Sequence, residues 1–392
     1  MENERKIYLD YSATTPVKEA VLAEMIPYFT ERFGNPSSLY TVGQDSKNAI
    51  SVARERVAAL IGAQPGEIYF TSSGTEADNW AVIETAHAKA AKGRHIITSA
   101  IEHHALLHSC EHLEKEGFEV TYLGVDAEGF ISLAELEAAI RPDTTLISIM
   151  FANNEVGTIQ PVAEIAQIAK AHGVLFHTDA VQALGNVEID VKALGVDMLS
   201  MSGHKIYGPK GIGALYIRRG VNLPTHMYGG GQESGKRAGT ENLTGIVGFG
   251  KAAQLSKENL AAHIAKLTEL RNYFVEQVQA RIQDVQVNGN LERRLPGNAN
   301  ITFKYIEGEA LLLLLDMKGI AVSTGSACSS ASLTPSHVLS ALGVPWEIIH
   351  GSIRFTVGDF TTKEDLDYTL DALTEAVAKL RSISSVSKDS GW

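Results

Sequence analysis

Cysteine is nearly absent: the 392 residues contain two, Cys110 and Cys328. Two thiols cannot build a disulfide framework, so a reducing cytoplasm is the expected setting. An excess of basic residues is also missing. The formal net charge is −12, which argues against a broad electrostatic footprint for nucleic acid. No apolar run approaches a membrane span, since "ALLLLL" at 310–315 is far too short. The opening "MENERKIYLDYS" is charged and lacks an apolar core, so no signal peptide is expected. Internal repeats and low-complexity tracts are lacking as well. What remains is an ordinary soluble composition, 44% apolar and 20% charged, long enough for one large domain and a smaller one.

From about residue 50 to 220, apolar runs of strand length alternate with amphipathic stretches of helix length. "EIYFTSSG", "RHIITSAIEHH", "EVTYLGVD", "TTLISIMFANNE", "VLFHTDA", "DMLSMSGHK" and "GIGALYIRRG" read as strands. Helical patterns such as "TEADNWAVIETAHAKAAKG" and "PVAEIAQIAKAHG" lie between them. This α/β alternation implies a mostly parallel sheet covered by helices on both faces. Residues 241–283 read as a long helical region, broken or bent near Gly245, Gly248 and Gly250. The remainder mixes strands and helices in an α+β pattern, and the tail "SVSKDSGW" is polar enough to fray. The expected division is a large domain over 16–258 and a small α+β domain built from 1–15 and 259–392.

Ligands of open α/β sheets gather at the carboxyl ends of the strands, so the polar residues there come first. In "FTSSGTEADN" a strand ends near Phe70 and a helix begins around Thr75. Gly74 admits close backbone approach, and the opening amides suit an anion such as phosphate. The plainer reading is capping, because Ser73 with Glu76 and Thr75 with Asp78 both fit a capping box. In "VLFHTDAVQ", Asp179 follows an apolar strand. It can hold a protonated ring nitrogen or simply cap the next helix. In "SMSGHKIYGPKG", Lys205 follows a short apolar strand. A lysine drawn into such a site forms Schiff bases, whereas most lysines beside turns are only solvated. Together, a phosphate-type helix start, an acid after one strand and a lysine after the next are the parts that grip pyridoxal 5′-phosphate.

The segments "LDYSATTPV", "FGNPSS", "SGTEADN", "EHHA", "ANNEVGTIQP", "HTDAVQA", "SGHKIYGPKG", "RAGTEN", "STGSACSSASLTPSHVL" and "GSIRFT" resemble, in order, those of the NifS/IscS-type cysteine desulfurases. That family lies in the class-V aminotransferase superfamily of fold-type I pyridoxal-phosphate enzymes. The resemblance implies a homodimer that converts L-cysteine to L-alanine and passes the sulfur on as a persulfide. Lys205 then carries the cofactor and moves the Cα proton, Asp179 pairs with the ring nitrogen, and His103 stacks on the ring and serves as acid or base. Gly74, Thr75, Ser202 and His204 match phosphate contacts, and Thr240 matches one delivered from the partner subunit. Asn154 and Gln182 match residues near the phenolic oxygen. Arg354 matches the guanidinium that grips the substrate carboxylate, with Asn35 and Asn154 beside it.

Cys328, in "VSTGSACSSASLTP", becomes the persulfide-forming thiol. The residues from Thr324 to Thr334 span about 30 Å if extended, enough to collect sulfur in a pocket and hand it to another protein. The implied acceptors are an iron–sulfur scaffold protein or a tRNA-thiolating enzyme. Cys328 is also a candidate ligand for an iron–sulfur cluster shared with such a scaffold. Alternatives of other classes are a selenocysteine lyase or another fold-type I aminotransferase, and a non-catalytic scaffold. Only desulfuration gives Cys328 a task. Cys110 shares a helix face with Leu106 and Leu113 and reads as core. His104, His108 and His112 recur every four residues, but ligands eight apart on one straight helix stand about 12 Å apart and cannot converge on a single zinc ion.

Overall fold

The computed structural model of the protein describes residues 6–324 and 335–384. Cys328 and the polar tail lie outside the described residues. Twelve strands occur among those described: β1 (Ile7–Tyr8), β2 (Ile68–Thr71), β3 (His95–Ser99), β4 (Glu119–Leu123), β5 (Thr144–Ser148), β6 (Leu175–Asp179), β7 (Met198–Ser202), β8 (Gly213–Ile217), β9 (Val285–Asn288), β10 (Asn298–Phe303), β11 (Ile320–Ala321) and β12 (Ser352–Thr356).

Seven of them form the main sheet in the order β2-β8-β7-β6-β5-β3-β4. From β7 to β4 all neighbours are parallel, while β8 runs antiparallel to both β7 and β2. Every residue of β3, β5, β7 and β8 is buried, which explains why these runs read as continuous rather than alternating. Strand β4 closes the edge and carries exposed residues. A second, antiparallel sheet has the order β12-β10-β9, and β1 pairs in parallel with β11.

Two large apolar cores result. One packs helices such as Thr41–Leu60 and Val162–Ala171 against one face of the main sheet. The other joins Ile7 and Leu9 to Ile301, Phe303, Phe355, Leu370 and Leu373, so the first strand belongs with the last third of the chain. Cys110 is fully buried beside Leu106 and Leu113 in a smaller cluster, as its helix face indicated.

One helix, Leu243–Arg281, serves both cores, burying Leu243 through Ala253 in the first and Leu267, Phe274 and Val278 in the second. The expected break at its glycines is not found, and the helix runs unbroken for 39 residues. The glycines answer a packing demand instead. A Cβ on Gly250 would lie 2.5 Å from Ala53 Cα, and one on Gly248 would lie 2.5 Å from Met25 Sδ. Their bare backbone lets helix Thr41–Leu60 and its neighbours approach closely.

Candidate active site

A cavity of about 590 Å³ opens where β6, β7 and helix Gly74–Lys89 meet the segment after β1. It is lined by Gly74, Thr75, His103, Asn154, Asp179, Gln182, Ser202, His204, Lys205 and Arg354. Ten of the residues singled out in the sequence are thus brought to one place. Asn35 and Thr240 are not: both are exposed and outside the cavity, with Asn35 Oδ1 accepting the Ser37 amide at 2.9 Å.

Ser73 caps helix Gly74–Lys89, its Oγ accepting the Glu76 amide at 3.2 Å. The first amides of a helix have no acceptor within it, so those of Gly74 and Thr75 remain for a ligand. The two capping boxes do not close. Glu76 takes the Ser72 amide at 2.8 Å and is held by Arg237 Nε at 2.8 Å. Asp78 turns inward, only 1% exposed, and its Oδ1 has no hydrogen-bond partner. Close approach sets the helix start: a Cβ on Gly213 of β8 would meet the Ser73 carbonyl carbon at 2.5 Å, and one on Gly74 would meet Val181 Cγ2 at 2.6 Å.

Asp179 ends β6, buried, with Oδ1 accepting the Val181 amide at 2.8 Å. No helix follows for it to cap. Burial pushes its carboxyl up, opposed by the Val181 amide and the charge of Lys205. Beneath the floor, His177 Nδ1 lies 2.7 Å from Ser148 Oγ and Nε2 lies 2.9 Å from Ser200 Oγ, so both nitrogens are engaged by hydroxyls. Lys205, in the turn after β7, donates to the carbonyls of Ser12 and Ala13, and Gln182 Nε2 donates to the same Ser12 carbonyl at 3.0 Å. The N-terminal segment therefore positions the lysine.

His103 precedes helix His104–Lys115 and caps it with its ring, Nδ1 accepting the Ala105 amide at 3.1 Å. The proton of the neutral ring then sits on Nε2. Burial, with Lys205 and two other histidines nearby, lowers its pKa to about 4. Burial beside Lys205 and Lys210 does the same for His204. Arg354, on β12, donates through Nη2 to Asp10 Oδ1 at 2.8 Å and through Nη1 to the Asn154 carbonyl at 3.1 Å, while its buried Nε has no partner.

The cavity also holds Glu155 and His337, which the sequence did not single out, and Asp78, which it offered only as a cap. Each lies inside a quoted motif, so the signal was position within "SGTEADN", "ANNEVG" or "PSHVL". Among the described residues no group of three or more His, Cys, Asp or Glu side chains is arranged to hold a metal ion. His112 instead pairs with Glu116 at 3.1 Å, and the His104 ring packs 4.8 Å from that of His337. The proposed cluster ligand, Cys328, lies outside the described residues.

The walls fit pyridoxal phosphate. The helix-start amides and the Ser202 hydroxyl are donors of the kind a phosphate needs, the buried Asp179 carboxyl suits a protonated ring nitrogen, and the Lys205 amine suits an aldehyde.

The aminotransferase class-V family model matches residues 7–369. The cysteine desulfurase IscS of Dictyoglomus turgidum is 56% identical over 380 residues, covering 97% of this chain and 96% of that protein. A solved NifS-like protein superposes with a TM-score of 0.91 at 39% identity, covering 96% of this chain and 100% of that one. SspA in complex with cysteine superposes at 0.79 with 38% identity, covering 91% and 100%.

Proposed function

The chain belongs to the class-V aminotransferase family as a pyridoxal-phosphate-dependent cysteine desulfurase, and from that premise we propose how its residues share the work. Lys205 would hold the cofactor, Asp179 would pair with its ring nitrogen, His103 would serve the ring as a stacking partner and acid or base, and Gly74, Thr75, Ser202 and His204 would hold the phosphate with Thr240 of a second subunit. When bound, the cofactor supplies an electron-withdrawing ring that accepts the charge left when Cα loses its proton. Lys205 Nζ, aimed by the Ser12 and Ala13 carbonyls, moves that proton. Arg354 takes the substrate carboxylate with its unpartnered Nε edge, and Asn154 and Gln182 line the near side. Asn35 reaches the carboxylate only through rearrangement or from another subunit.

Cys328 receives the sulfur. Its thiolate forms the S–S bond as the Cβ–S bond of the substrate breaks, and the electron pair leaves with the carbon that becomes the methyl group of L-alanine. A free thiol near neutrality is a few per cent ionised, so a base must take its proton. The persulfide then passes to an acceptor, an iron–sulfur scaffold or a tRNA-thiolating enzyme, and Cys328 can ligate a cluster shared with the former. The protein works as a homodimer in the cytoplasm, with a large domain over 16–258 and a small one from 1–15 and 259–392. No described helix is long and apolar enough to cross a membrane.

The observation that supports this reading most is the convergence of Lys205, Asp179, His103 and Arg354 on one cavity. Replacing Cys328 by Ala is expected to leave cofactor content intact and to abolish sulfide release from L-cysteine, measured under multiple turnover with a reductant. Undiminished release would remove Cys328 from the reaction.

A further inference from the structure

Glu155 shares the cavity with Arg354 and has no part in the scheme above. It is 4% exposed. Its backbone is fastened on both sides: its amide donates to Asn153 Oδ1 at 2.8 Å, and its carbonyl accepts Asn298 Nδ2 and Asn300 Nδ2 at 3.2 and 3.3 Å. Its Oε2 is hydrogen-bonded to Ser336 Oγ at 2.5 Å, and that hydroxyl also caps helix His337–Ala341. The carboxyl is therefore held in place against one wall. The residue before it, Asn154, gives its carbonyl to Arg354 Nη1, so acid and guanidinium are neighbours along that wall.

Arg354 carries one positive charge. Asp10 already takes Nη2 at 2.8 Å. A substrate α-carboxylate makes a second anion, and an ionised Glu155, itself buried, would make a third. A buried carboxylate without a cation of its own is strongly disfavoured. Glu155 has only a hydroxyl as partner, and a hydroxyl serves a carboxylic acid as well as a carboxylate. We propose that Glu155 is a charge selector for the substrate: as a neutral acid it leaves Arg354 to the α-carboxylate, and as an anion it competes for the same guanidinium. This rests on the reading of Arg354 as the carboxylate-gripping residue.

Burial pushes the Glu155 carboxyl up to about 7, against the pull of Ser336 and Arg354, so both forms are populated near neutrality. The other charged or titratable groups around the same cavity are Asp78, His103, His104, Asp179, His204, Lys205, His337 and Arg354, with Asp10 bonded to Arg354. Burial lowers His337, and His103 to about 4, and the comparison with Glu155→Gln cancels whatever titration these groups contribute. The linkage is reciprocal: a bound carboxylate raises the Glu155 pKa and draws in a proton.

The test uses holoenzyme and the product L-alanine, which carries the carboxylate without a thiol, with binding read from the cofactor's visible absorbance. From one pH unit below the Glu155 midpoint to one above it, the wild-type dissociation constant should rise about tenfold relative to that of Glu155→Gln. Glu155→Asp should restore the rise. Alaninamide, which lacks the carboxylate, should show no such rise with wild-type protein, and this comparison stands even if the variants fold poorly. An identical profile in Glu155→Gln, or an equal rise with alaninamide, overturns the proposal. Arg354→Gln should weaken L-alanine at every pH, and unaltered binding there would overturn the reading of Arg354 instead.

Discussion

His103 illustrates how a single residue acquires a defined chemical state. By accepting the Ala105 amide it fixes which nitrogen carries the proton, and burial keeps the ring neutral. Its neighbour Glu102 is the opposite case. That side chain is fully buried, accepting Ser99 Oγ at 2.6 Å and the Met150 amide at 2.9 Å through Oε1, while Oε2 has no partner. Burial pushes its carboxyl up to about 8. An acid raised in the folded state binds its proton there while the unfolded chain has lost it, so the stability it contributes is present at low pH. That stability falls as pH climbs through the folded value, at about 1.4 kcal/mol per pH unit. Glu102→Gln stays neutral throughout. The melting temperature of wild-type apoprotein relative to this variant should therefore decline between about pH 5 and 8 and then level off; a flat difference would show that Glu102 is not neutral in the fold. At this scale the sequence was legible where polar residues follow apolar strands, as at Asp179 and Lys205. It misled at Asp78, offered as a cap, and was silent at Glu155, because an acid inside a polar motif looks the same whether it faces water or is sealed in. Without the family resemblance, Arg354 reads as any strand arginine.

Among the elements, the strands of the main sheet were readable because burial on both faces leaves no polar alternation to confuse them. The cap at Ser73 was readable too, since it needs only local spacing. The partner of Glu76 was not, because Arg237 arrives from 161 positions away. Helix Leu243–Arg281 is the instructive failure. Glycines in a helical pattern suggest a bend, yet here they answer the proximity of another backbone. Gly250→Ala decides between the two explanations. Helix propensity alone predicts a gain of about 0.5–1 kcal/mol, whereas a methyl forced to 2.5 Å from Ala53 Cα predicts a loss of about 1–3 kcal/mol. We expect the loss, seen as a lowered denaturant midpoint with an unchanged slope.

For the whole molecule, the arrangement of the two cores and the main sheet could be anticipated from the order of elements. The expectation also joined residues 1–15 to 259–392, but it did not include the pairing that does so, Ile7 with Ile320 and Tyr8 with Ala321. Thr240 is exposed and outside the cavity of its own chain, as a residue acting across a subunit boundary would be. Equal mixing of an inactive Lys205→Ala protein with an inactive Thr240→Asp protein, after subunit exchange, should restore about one quarter of wild-type activity, because half the dimers then own one intact site. No recovery would show that Thr240 acts within its own subunit and not across the boundary. The pairing of Ile7 and Tyr8 with Ile320 and Ala321 has a temporal consequence as well. A nascent chain leaving the ribosome carries its first strand without a mate until more than three hundred further residues have been translated. The smaller core must therefore assemble around a strand that has waited for Ile320 and Ala321 to be made.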